Sequence, residues 1–187
     1  MCEIEYMIRV FIIGYMGVGK TTLGKALGKA LNIEFIDLDK YIEHCQRKTI
    51  LELFDEQGEH GFRMLEQKML KKISTFENVV ISTGGGAPCF FDNMQVMNNA
   101  GVTIYLKTEP EELAARLRAA KGVRPIIAGK SNEELVPFIE HHLNEREQFY
   151  NQAQIIYESK KLVTPSDVDD TVNNLINELK KCRSHDL

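Results

Sequence analysis

The sequence predicts a three-layer α/β fold built around a parallel sheet. Short β-branched apolar runs recur between longer segments of helical periodicity, the runs are near-continuously apolar, and the first of them ends in a glycine-rich turn. At 187 residues the chain is long enough to bury its own core, and residues 1–187 are read as one domain.

Val10-Phe11-Ile12-Ile13, cut off by Gly14, reads as a first strand buried on both faces. Glu34-Phe35-Ile36-Asp37, Val79-Val80-Ile81-Ser82 and Val102-Thr103-Ile104-Tyr105-Leu106 follow, with Gln154-Ile155-Ile156-Tyr157 a weaker fifth. A helix is expected over residues 22–31. Three more helix starts are read from a Ser or Thr followed three residues later by an acid: Thr108 with Glu111, Ser131 with Glu134, and Ser166 with Asp169. Leu135, Phe138, Ile139, His142 and Leu143, and Val168, Val172, Leu175, Ile176 and Leu179, recur at helical spacing and should face the sheet. Residues 119–130 mix glycine, proline and basic residues between two helices, the composition of a mobile functional loop.

A formal charge of −4 carries neither the basic excess of a nucleic-acid binder nor a polybasic membrane patch, so a small soluble partner is expected. Cys2, Cys45, Cys89 and Cys182 form no C-x-x-C pair and read as reduced thiols. Glu3 and Glu5 stand where a signal peptide would be basic, and the apolar run after them is too short to span a bilayer; a cytoplasmic protein is the expectation.

Gly14-Tyr15-Met16-Gly17-Val18-Gly19-Lys20-Thr21 fits G-x-x-x-x-G-K-[ST] and sits between a strand and a helix, the context in which that pattern holds phosphate. Glycines let backbone N–H groups curl around phosphate oxygens, the helix N-terminus adds positive potential, Lys20 reaches the β/γ oxygens, and the Thr21 hydroxyl suits Mg²⁺. Gly17, Val18, Gly19, Lys20, Thr21 and Thr22 are thereby assigned to the nucleotide.

Asp37 and Asp39 fall at the C-terminal end of the second strand, the edge where open α/β sheets bind ligands. In an extended stretch they share a face, one carboxylate for Mg²⁺ and the other for a substrate hydroxyl; the lesser alternative, read locally, is a helix N-cap pair. Gly84-Gly85-Gly86 marks either close backbone approach to a ligand or an ordinary turn. By themselves Arg63, at helical spacing from Glu59 and Glu66, reads as a surface ion pair, and Arg146 as part of a solvated acidic helix face. Arg124 before Pro125 could close over a nucleotide or stand exposed. His141, His142 and Glu145 lie on an amphipathic helix and are read as solvated or core-edge, not as a metal site.

In order, Gly14-x4-Gly19-Lys20-Thr21, Phe35-x-Asp37-x-Asp39, Gly58-Glu59-x-x-Phe62-Arg63-x-x-Glu66, Gly84-Gly85-Gly86, Arg124-Pro125 and Arg146-x-x-x-Tyr150 closely resemble shikimate kinase over about residues 8–157. The resemblance implies a five-stranded parallel sheet in a P-loop sandwich like that of nucleoside monophosphate kinases. It also implies a substrate-binding region at about residues 38–73 and a lid at about residues 119–131. It assigns Arg63, Arg146 and Gly84, Gly85 and Gly86 to the substrate, with both arginines on its carboxylate, a planar anion suited to forked guanidinium donors. Asp39 becomes the base and hydroxyl ligand, Lys20 and Arg124 the cations on the transferring phosphoryl, and Thr21 and Asp37 the Mg²⁺ residues. The implied reaction moves the γ-phosphate of ATP to the 3-hydroxyl of shikimate, on the route to chorismate and the aromatic amino acids.

Thr21 stands where serine is common, and Ile126-Ile127 where leucines are usual. The segment before Arg124 is about one residue short of the common spacing, which leaves Arg116 or Arg118 to contact adenine; Arg118 is preferred. A gluconate or nucleoside monophosphate kinase would not need two carboxylate-gripping arginines together with the triple glycine and the Asp37-x-Asp39 pair. A GTPase should carry Asn-Lys-x-Asp, which is missing from the sequence. A monomer is expected.

Overall fold

The computed structural model describes residues 8–119, 131–159 and 164–184. In chain order the elements are β1 (Arg9–Ile13), α1 (Lys20–Leu31), β2 (Glu34–Asp37), α2 (Leu38–Gln46), α3 (Ile50–Ile73), β3 (Val79–Ser82), a 3₁₀ turn (Ala87–Cys89), α4 (Asn93–Ala100), β4 (Val102–Lys107), α5 (Pro110–Ala119), α6 (Asn132–Tyr150), β5 (Ile155–Glu158) and α7 (Pro165–Ser184).

All five strands are parallel in the order β2-β3-β1-β4-β5. The chain leaves β1 toward β2 and makes every later crossover in the opposite direction. Right-handed crossovers therefore put α1 on one face and α2 to α6 on the other. The C-terminal α7 returns to pack on α1, completing three layers. Val10, Phe11, Ile12 and Ile13 of β1 and Val79, Val80 and Ile81 of β3 are wholly buried, which is why these strands read as unbroken apolar runs. Connections that diverge to opposite faces open a crevice at the carboxyl ends of the strands, and the loop after β1 lies in it.

Ser131 caps α6 as expected, accepting from Glu134 N while the Glu134 carboxylate accepts from Ser131 N. The other two caps differ. Thr108 turns its hydroxyl to the Ser159 carbonyl at the end of β5, so α5 starts at Pro110 with its first backbone bond to Glu109 O. In α7 the reciprocal pair is Thr164 with Asp167, two residues before the expected one, and Pro165 fills the first helical position. The glycine-loop helix starts at Lys20, two residues ahead of its expected start.

Gly58 breaks α3 with φ 68° and ψ 176°, a conformation open to glycine and few others, so the helix carrying Glu59, Arg63 and Glu66 is re-aimed before it reaches the sheet edge. No helix among the described residues is long and apolar enough to cross a membrane.

Candidate active site

β1 delivers the chain into a loop whose Gly14, Gly17 and Gly19 have φ of 138°, 82° and 105°, values that a side chain would strain. Gly19 caps α1 with no side-chain bond, leaving the first-turn N–H groups directed into a cavity of about 260 Å³ lined by Gly17, Gly19, Lys20, Thr21 and Thr22. Lys20 Nζ donates to Gly14 O at 2.8 Å and Tyr15 O at 2.9 Å, which holds the ammonium at the loop. Arg116 braces the same loop, its Nη1 donating to Val18 O at 2.9 Å and its Nε to Glu112 at 2.9 Å.

Asp37 and Asp39 do not share a strand face, because β2 ends at Asp37 and α2 begins at Leu38. Asp37 is the helix N-cap, its Oδ1 accepting from Lys40 N at 3.3 Å. Its other oxygen accepts from Thr21 Oγ1 at 2.8 Å and from Ser82 Oγ at 3.2 Å, Ser82 being its register partner on β3. A carboxylate between two hydroxyls beside a phosphate-shaped loop is a hard-oxygen set that fits Mg²⁺, which keeps much of its coordination for water and phosphate. Asp39, on the first turn of α2, points instead across to the triple-glycine loop. Burial raises its carboxyl above the usual range and Asp37 raises it further, while Lys20 and Arg63 oppose.

Arg63 is no surface pair: its side chain is 13% exposed and its Glu66 partner, at 2.8 Å, is 0% exposed. The guanidinium lies over the Phe90 ring at 4.2 Å, with the rings of Phe62 and Phe54 at 5.3 and 5.6 Å. Burial pushes the Glu66 carboxyl up to about 7, with Arg63 pulling the other way. Arg63 Nε and Glu66 Oε1 are buried without hydrogen-bond partners among the described residues, so the pair retains polar capacity inside the site.

The triple glycine is explained by space. A Cβ on Gly84 would stand 2.8 Å from Asp39 Oδ1, one on Gly85 3.2 Å from Met16 N, and one on Gly86 2.7 Å from Arg63 Nη2. The three positions touch the candidate base, the phosphate loop and the first arginine in turn, and none has a left-handed φ. Sequence reading left a ligand or a plain turn as the choices; the structure adds that the protein's own site groups already occupy the Cβ positions.

Arg146 is half-buried, with its guanidinium 5.6 Å from the Tyr15 ring centroid. It and Arg63 both act on the Cys89 thiol, which burial pushes up to about 11, so both cations lie near the 3₁₀ turn that follows the glycines. Tyr15 is bonded through its hydroxyl to His142 Nδ1 at 3.1 Å, while His141 reaches Glu145 at 3.4 Å on the exposed side of α6. Arg118 is exposed on α5, and Arg124 with the rest of the expected lid interior, residues 120–130, lies outside the described residues.

Ser82, Phe90, Tyr15 and His142 were not singled out as site residues by sequence reasoning, and Arg116 was weighed for adenine but not for the Val18 carbonyl it holds. Their contacts bridge distant segments, and only Phe90, close behind the glycines, carried a local signal by position.

The shikimate kinase family model matches residues 16–180. The shikimate kinase of Bacteroides fragilis is 55% identical over 169 residues, covering 90% of this chain and 94% of that protein. The crystal structure of shikimate kinase from Bacteroides thetaiotaomicron superposes with a TM-score of 0.91 at 52% identity, covering 93% of this chain and 99% of that one. The solved structure of shikimate kinase from Acinetobacter baumannii in complex with shikimate gives 0.82 at 28% identity over 95% of both chains. A shared fold would leave function open, but identity above half along nearly the whole chain does not: this chain belongs to the shikimate kinase family.

Proposed function

We propose that this chain transfers the γ-phosphoryl group of ATP to the 3-hydroxyl of shikimate, giving shikimate 3-phosphate and ADP on the route to aromatic amino acids. The observation that carries the reading is the glycine loop at residues 84–86, which touches Asp39, the phosphate loop and Arg63 in three consecutive positions. An acceptor held there lies between a carboxylate-binding arginine and the nucleotide site.

Arg63 and Arg146, both near the 3₁₀ turn, grip the acceptor carboxylate, and the forked donors set its orientation. Asp39 receives the proton of the 3-hydroxyl as its oxygen attacks the γ-phosphorus and the bond to ADP breaks. A carboxyl raised by burial is a better proton acceptor than an ordinary one. Lys20 and the open N–H groups of α1 hold the phosphates in line, which supplies most of what phosphoryl transfer requires. Mg²⁺ would be held by Thr21 and Asp37 and would neutralise charge on the phosphate oxygens. Arg124 is the lid cation of this scheme. Arg118 takes adenine in this scheme, and Arg116 braces the phosphate loop through Val18 O. In the same scheme the chain acts as a single kinase domain, residues 38–73 binding the acceptor, and works as a cytoplasmic monomer.

Phosphorus and proton NMR of the product of Mg-ATP and shikimate tests the assignment. A phosphate monoester coupled to the C3 proton is expected; phosphate on another hydroxyl, or only ADP and inorganic phosphate, would refute it.

A further inference from the structure

Tyr150 closes the Arg146-x-x-x-Tyr150 pattern and has no part in the chemistry above. It is the last residue of α6 and is 0% exposed. Its hydroxyl donates to Gly85 O at 2.5 Å, across 65 residues of sequence. The ring is fixed by Tyr105 of β4, itself buried, at a centroid separation of 5.0 Å. Burial drives the phenol well above the ordinary tyrosine range, so it remains a donor wherever the protein is folded.

Gly85 is thereby held from two directions. Tyr150 takes its carbonyl, and at its α-carbon the phosphate loop closes in: a Cβ there would lie 3.2 Å from Met16 N and 3.5 Å from Gly14 O. Its two neighbours are the glycines against Asp39 and Arg63. Moving Gly85 therefore moves the surface on which both side chains rest, and changes the gap between acceptor and nucleotide loop. Arg146 lies one turn before Tyr150 on the same helix and interacts with its phenol, so the second arginine shares this anchor.

We propose that Tyr150 is a positioning residue: its hydrogen bond to Gly85 seats the triple-glycine loop on the phosphate loop and so fixes the acceptor relative to the γ-phosphate. The proposal rests on the shikimate reading of the site. A packing tyrosine would need only its ring, whereas a positioning one needs the hydroxyl.

Tyr150→Phe keeps the ring and removes only the hydroxyl. Initial rates are measured against each substrate in turn for the parent chain, Tyr150→Phe and the control Tyr157→Phe, well below each melting temperature. Tyr157 is a suitable control because its hydroxyl bonds Asn174 Nδ2 at 3.3 Å in an exposed contact between β5 and α7. The expected result is a shikimate KM raised roughly tenfold in Tyr150→Phe, the scale of one lost hydrogen bond at a site, with ATP KM unchanged and Tyr157→Phe like the parent. Unchanged constants accompanied only by a lower melting temperature, or equal rises in both KM values, would overturn the positioning role. If the parent chain forms no ADP in response to shikimate, it is the acceptor assignment that fails.

Discussion

Replacing Gly86 with alanine places one methyl group against the acceptor clamp. Gly86 has φ −88° and ψ −25°, which alanine adopts without strain, so the effect falls on what the methyl meets. It would lie 2.7 Å from Arg63 Nη2 and 3.1 Å from Cζ and Nη1. Ordinary contact requires about 3.5 Å, so the guanidinium must retreat by roughly 0.8 Å. It cannot do so freely, because Glu66 holds Nη1 at 2.8 Å and the Phe90 ring lies 4.2 Å from Cζ. A displacement approaching 1 Å in a positioning group costs on the order of 10²-fold in rate. Gly86→Ala is therefore expected to lower kcat/KM for shikimate by about 10²-fold while leaving ATP binding intact. Coupled ADP-release kinetics with varied shikimate, beside nucleotide binding by calorimetry, read both quantities. A kcat/KM equal to the parent's would refute the close packing of Gly86 on Arg63 as a functional constraint.

Arg146→Lys keeps the charge but loses the fork, and is expected to raise shikimate KM by about 10-fold or more with ATP KM unchanged in steady-state kinetics. Thr21→Ala should raise the Mg²⁺ concentration needed for half-maximal rate and Thr21→Ser should not, because the hydroxyl bonded to Asp37 is the feature at stake; metal titration, and removal by EDTA, distinguish them. Gly58→Ala meets no neighbour within 4 Å, yet its φ of 68° with ψ of 176° should cost about 1–3 kcal/mol in denaturant unfolding. Glu66 gives a pH signature. Its carboxyl is pushed up to about 7 from 4.5, so between those values the folded chain keeps a proton that the unfolded chain releases. Its contribution to stability is complete below 4.5 and is lost as pH rises through about 7; melting temperature followed across that window should lose this slope in Glu66→Gln.

The sequence carried the frame because the frame rests on local rules. β2 and β3 end where their apolar runs end, and the glycine pattern placed the phosphate loop between strand and helix. Thr108 was misread as a cap because its partner, Ser159, lies 51 residues away, and a tertiary bond outweighed a local signal. Asp37 and Asp39 were misplaced for a related reason: two alternatives fitted the spacing, and the N-cap bond to Lys40 decided between them. Arg63 looked exposed by helical spacing, since nothing local reveals that Phe54, Phe62 and Phe90 enclose it. The three glycines were legible as unusual, but the reason, two site side chains and the phosphate loop against their α-carbons, belongs to packing.

The central claim is that the acceptor is shikimate, and ADP release from Mg-ATP with shikimate, gluconate, AMP or no acceptor tests it most directly. The account predicts stimulation by shikimate only, lost in Arg63→Ala and Arg146→Ala while ATP still binds. ATP binding with no stimulation by shikimate, or an equal response to gluconate or AMP, would contradict it.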